Sequence, residues 1–219
     1  MTIPAGTVTD LVKDNPVVKG CTISNQLFND QVTSTTFSLA ANTNISAARY
    51  ASYQLITVEE GRLTVTIADD QHELQQGDSL VTPKDTPVAL AAATDCIYTE
   101  ISFTQDAVLS SLIQPGKVFK MADLIPYQQG KIINCDLVTG QAFKLALMAL
   151  GAGTELAEHS APGNALIFAL AGQGTVNYEG APKALRTNAA LKMAQGARHA
   201  VKADQDYKMA LLVMTPAEA

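Results

Sequence analysis

Residues 53–67, YQLITVEEGRLTVTI, align without a gap on residues 164–178, NALIFALAGQGTVNY, when Gly61 is placed on Gly172. The offset is 111 residues, and it holds well beyond this stretch. Leu55 falls on Leu166, Ile56 on Ile167, Thr64 on Thr175 and Val65 on Val176. Further along, Leu74 falls on Leu185, Leu80 on Leu191 and Ala89 on Ala200. Identity is low, but strand phase is kept throughout. A slip of one residue would turn every side chain to the wrong face, so a preserved phase is itself evidence of a duplicated unit.

The unit reads as β-structure. RLTVTI (62–67) alternates, placing Leu63, Val65 and Ile67 on one face. ADDQH supplies a turn, and HELQQGDSLVTP gives a strand, a Gly-Asp turn and a further strand closed by Pro83. Helical periodicity is confined to DAVLSSLI (106–113), where Asp106 would cap a short helix. The expectation is an all-β chain of two tandem barrels: residues 1–103, a connector over 104–124, and residues 125–219. Pro115-Gly116 marks a turn in the connector, and Val118, Phe119 and Met121 are expected to pack it onto a barrel.

Composition bounds the function. The chain has 219 residues, 47% apolar and 16% charged, with a formal net charge of −6. It contains no run of Lys or Arg interleaved with aromatics, so no nucleic-acid partner is expected. The start MTIPAGTVTDLVKDNP has no basic region followed by an apolar run, and NALIFALAGQG is too short to span a bilayer. A cytoplasmic protein with no membrane partner is the expectation. Cys21, Cys96 and Cys135 are odd in number and form no CxxC, so they read as reduced thiols. His72 and the pair Asp69-Asp70 belong to a polar hairpin tip, and GAGT near Gly151 lacks the spacing of a phosphate loop.

The second half resembles the cupins. Their first motif is a Gly, five residues, His-x-His, a Glu and a closing Gly. Here Gly153 is followed by TELAE and His159, with Ala161 at the second His, Ala165 at the Glu and Gly172 closing. In the second motif Asn188 takes the Gly position, Ala194-Gln195-Gly196 stands for Pro-x-Gly, and His199 lands on the last ligand position. The likeness spans about residues 126–214. The first half is similar but keeps none of the ligands: Ala48 and Tyr50 stand at His-x-His, and Val88 replaces the last His, within GDSLVTPKDTPV. The resemblance therefore implies two jelly-roll (double-stranded β-helix) barrels, of which only the second holds a candidate site.

That site is centred on His159 and His199, two imidazoles that the family's arrangement brings together in the barrel mouth. Strand alternation puts 157, 159 and 161 on one face, with Glu158 on the other and Glu155 sharing the parity of His159. The resemblance implies one divalent metal (Zn, Fe, Mn or Ni) on His159 and His199. Ala161 and Ala165 supply no donor, whereas a catalytic metal normally has three protein ligands. Asn164 and Glu155 are the available substitutes. The alternative is no cofactor, with His159, His199 and Asn164 as polar contacts in a ligand pocket walled by Leu147, Ile167, Met193 and Val201. The expected function is small-molecule binding in the second barrel. The alternative is a metal-dependent oxygenase, isomerase or decarboxylase of a small organic acid or carbohydrate. A homodimer is the expected assembly, with the first barrel serving mainly for packing.

Overall fold

A computed structural model describes residues 2–215. Among them are twenty strands and one short 3-10 turn at Met121–Asp123, and no helix is long and apolar enough to cross a membrane. The chain divides into two compact units. The first is built on Leu11–Lys120, and the second on Ile3–Asp10 together with the chain from Met121 onward.

In the first unit one sheet runs Val118–Phe119, Ser79–Val81, Gln54–Glu60, Cys96–Ser102, Thr33–Leu39 and Thr22–Asn29. Its second sheet runs Thr43–Arg49, Pro87–Ala92, Arg62–Ile67 and Asp70–Gln75. The sheets bury the alternating face foreseen for RLTVTI: Leu63, Val65 and Ile67 join Leu74, Leu80 and Tyr98 in one core. In the second unit, Ala165–Tyr178 runs through both sheets. Its first half pairs with Ala189–Met193 and Tyr207–Met214, and its second half with Ala181–Arg186 and Arg198–Ala203. Val176, Leu185 and Leu191 are its buried counterparts of Val65, Leu74 and Leu80.

The repeat is visible in the ladders. Ala48 lies opposite Val88 in the first barrel, and His159 lies opposite His199 in the second. Each of these strands carries a β-bulge just before that pair, between Ile45 and Ala48 and between Leu156 and His159. Gly61 and Gly172 mark the crossing between sheets in both units, at φ +82 and +74. A Cβ there would meet the carbonyl oxygen of Asp95 at 2.2 Å or of Asp206 at 2.1 Å, so only glycine fits.

Three expectations are corrected. Asp106–Ile113 forms no helix: eight residues cannot sustain one without a packed face, and Val108–Leu109 is extended. The segment Ile3–Asp10 belongs to the second unit, where Val8–Asp10 pairs with Ala189–Leu191, so the unit boundary does not follow a cut at 103. The expected connector divides in the same way. Val118–Phe119 pairs with Ser79–Leu80 in the first unit, whereas Met121 is buried in the second.

Candidate functional site

The second barrel holds a half-open cavity of about 210 Å³. His159, on the strand Thr154–Ser160, and His199, on Arg198–Ala203, both line it. Antiparallel pairing sets their Cα atoms opposite each other, and the ring centroids lie 4.2 Å apart with planes tilted by 55°. His159 is exposed, whereas His199 is only 5% exposed. Each Nδ1–H donates to the carbonyl two residues earlier: to Ala157 at 2.9 Å and to Ala197 at 3.3 Å. Those carbonyls fix the tautomer, because a carbonyl oxygen can only accept. In the neutral state each ring therefore keeps its lone pair on Nε2. Burial, opposed by the Ala197 carbonyl and reinforced by the neighbouring His159, lowers the pKa of His199.

Ile167, Met193 and Val201 line the same cavity. Leu147 does not; it faces the opposite side of its strand, and its neighbours Ala146 and Met148 line the cavity instead. Asn164 is also outside the lining. Its Oδ1 accepts from the Gln195 backbone N–H at 3.1 Å and ties down the turn before His199. Glu155 is displaced by the bulge between Leu156 and His159, which breaks the two-residue alternation. Leu156 therefore shares the cavity with His159, and exposed Glu155 lies opposite Lys202 in the ladder. Glu158, as foreseen, looks away and pairs with Arg198. His72 lies on the strand Asp70–Gln75 of the first unit and lines neither cavity.

Two polar wall residues escaped the sequence reading: Asn134 and Lys144. The signal was present, since Lys144 interrupts the apolar strand FKLALMAL at the same parity as Ala146 and Met148. Its Nζ pairs with Asp136 at 3.0 Å, with both side chains 43% exposed, so the pair is weak and easily exchanged for another anion.

The donor set falls short of a resident catalytic metal. Among the described residues no three His, Cys, Asp or Glu side chains gather around one point. Ala161 and Ala165, at the positions where the family carries its other ligands, are buried alanines. Two imidazoles make only half of a first shell.

Comparison with known proteins agrees on the fold. The Cupin domain family matches residues 39–101, which lie in the first barrel rather than in the one carrying the histidines. No curated protein matches the chain in sequence. Among solved structures, a cupin 2 conserved barrel domain protein from Leptotrichia buccalis has a TM-score of 0.87 at 21% identity, covering 97% of this chain and 98% of that one. Salicylate 1,2-dioxygenase from Pseudaminobacter salicylatoxidans gives a TM-score of 0.65 at 13% identity, over 87% of this chain and 75% of that one. Protein Ylba from E. coli gives 0.66 at 11% identity, over 97% and 91%. The family match in one barrel, the fold likeness over nearly the whole length and the register-true repeat together identify the chain as a cupin-fold protein.

Proposed function

We propose that the second barrel binds a small organic acid with a compact apolar body, and that it does so without a resident metal. The observation that carries this reading is the pairing of His159 and His199 in one mainly apolar cavity that also holds Asn134 and Lys144. Met193, Ile167 and Val201 give the body its apolar surface, and the polar residues of the same lining serve the head group. Because each Nδ1–H is already engaged, a ring can donate to a carboxylate only through Nε2–H, and therefore only when protonated. Burial lowers the pKa of His199 and favours its neutral, accepting form. A carboxylate held through ring Nε2–H is thus held together with that ring's proton.

The test is calorimetric titration of the full chain with benzoate and salicylate in EDTA at pH 6 and pH 8. Saturable binding is expected at pH 6 and weaker binding at pH 8, because a ring donates through Nε2–H only when protonated. It should be lost in the His159→Ala/His199→Ala double variant. Absence of binding at either pH would overturn the reading. The second reading, a divalent-metal enzyme, is favoured by the two Nε2 lone pairs alone. It is supported if either acid binds only after EDTA is replaced by Zn, Mn, Fe(II) or Ni.

A further inference from the structure

The first barrel has none of the family's ligands, yet it is not a filled core. It holds a partly open cavity of about 120 Å³ built mostly from positions equivalent to those of the histidine pocket. At the offset of 111 residues, Ala48 and Val88 stand for His159 and His199, so the polar pair is gone from that wall. Polarity reappears on the wall opposite in sequence role. Tyr98 stands where the second barrel has Met209, Glu100 where it has Leu211, and Gln54 where it has Ala165. The apolar wall of one pocket is the polar wall of the other.

These three polar residues are not explained by the fold. Tyr98 is 0% exposed, and its hydroxyl has no hydrogen-bond partner among the described residues. Gln54 is 2% exposed. Its Nε2 donates to Ser52, at the carbonyl and at Oγ, but its Oε1 accepts from nothing among the described residues. Buried polar atoms are almost always paired, so two orphans lining one cavity mark a place where a partner is meant to arrive. Glu100 lines the same cavity and accepts one long hydrogen bond, from Ser102 Oγ at 3.4 Å. No Lys or Arg pairs with it among the described residues. Burial, opposed by that bond, raises its pKa, as expected of a carboxylate short of a counter-charge. Phe37 stacks on Tyr98 at 5.0 Å and 9°, holding the ring in place, and Tyr50 adds a second aromatic side chain.

We propose that this cavity is a second binding site, for a small organic ammonium ion with a compact apolar body, held by the Glu100 carboxylate with Tyr98 and Gln54 as further acceptors. An ammonium group brings three donors and one positive charge, which complements one carboxylate and two unpaired oxygens. Aromatic faces favour the same charge. The volume of about 120 Å³ suits a molecule of about four to six non-hydrogen atoms, since a cavity of about 150 Å³ holds the six of benzene. The site is independent of the histidine pocket and has the opposite charge preference.

The test is an NMR titration of the full chain with isobutylamine and isopentylamine, beside isobutanol, isopentanol and isobutyrate. The amines should saturate with shifts in the Gln54 side-chain amide and the Tyr98 ring, at least tenfold more tightly than the alcohols, and isobutyrate should leave these signals unmoved. Glu100→Gln should weaken amine binding at least tenfold, and Tyr98→Phe should weaken it while leaving the fold intact. The His159→Ala/His199→Ala variant should bind amines as the wild type does, which separates this site from the acid site. Alcohols binding as tightly as amines, or amine binding unchanged in Glu100→Gln, would overturn the proposal. So would the absence of saturable shifts with both amines in the wild type.

Discussion

Replacing Gly172 by Ala tests the duplicated fold at its tightest point. Two costs add there. Gly172 sits at φ +74, where an L-residue loses roughly 1–2 kcal/mol to the left-handed conformation. The new Cβ would also lie 2.1 Å from the Asp206 carbonyl oxygen and 3.4 Å from Tyr207 Cα. These are backbone atoms of the chain entering a paired strand and cannot swing aside, so overpacking adds about 1–3 kcal/mol. The sum, roughly 2–5 kcal/mol, should lower the melting temperature of the second barrel by about 10 °C or more. Gly61→Ala should do the same to the first barrel, where the clash is 2.2 Å with the Asp95 carbonyl oxygen. Gly153→Ala is the control: its φ is +79, but nothing lies within 4 Å of where the added methyl would sit. It should cost only the conformational part, about 1 kcal/mol. Differential scanning calorimetry of the three variants decides the matter. Equal losses for Gly153→Ala and Gly172→Ala would refute the close approach at the sheet crossing.

Two further expectations concern pH, with opposite signs. Burial raises the Glu59 carboxyl to about 7, so the folded state holds its proton more tightly than the unfolded chain does. Stability from this group is complete below its ordinary pKa of 4.5 and is lost as pH rises through about 7. Glu59→Gln should therefore stabilise the first barrel at pH 8 by about 2–3 kcal/mol in urea unfolding; no gain would refute this. His199 works the other way. Burial lowers its pKa, so the folded state resists the proton and stability falls as pH drops below 6.5. Replacing His199 by Gln should flatten that acid-side slope in the second barrel, and a slope unchanged in the variant would refute the assignment. For the acid site, Lys144→Met should weaken benzoate binding by a few-fold and no more, because the lysine is partly exposed; loss of all binding would contradict that minor role.

Phase-preserved alternation around Gly61 and Gly172 makes the two barrels legible from residues alone, because burial on one face forces a period of two. The meeting of His159 and His199 is implied by the motif positions of the family and not by alternation; the ladder sets the two opposite each other. Bulges break that logic. The extra residue between Leu156 and His159 changes which side chains face inward, and no residue type in ELAEH announces it. This is why Leu156, rather than Glu155, lines the cavity. Segment exchange is equally silent, because Val8–Asp10 joins the second unit through backbone hydrogen bonds that any short strand could make. The first-barrel cavity leaves a fainter trace. Ala48 and Val88 mark only what is lost, whereas Glu100 within the strand CIYTEIS is a charge set among buried neighbours.

The most direct measurement for the histidine pocket is the metal content of the full chain purified without a His-tag or chelating resin, beside the His159→Ala/His199→Ala variant. A metal-free acid pocket requires both proteins to carry far less than one metal per chain, and no rise in melting temperature with Zn, Mn, Fe(II) or Ni. Near-stoichiometric metal in the wild type and none in the variant would contradict it and establish a two-histidine metal centre.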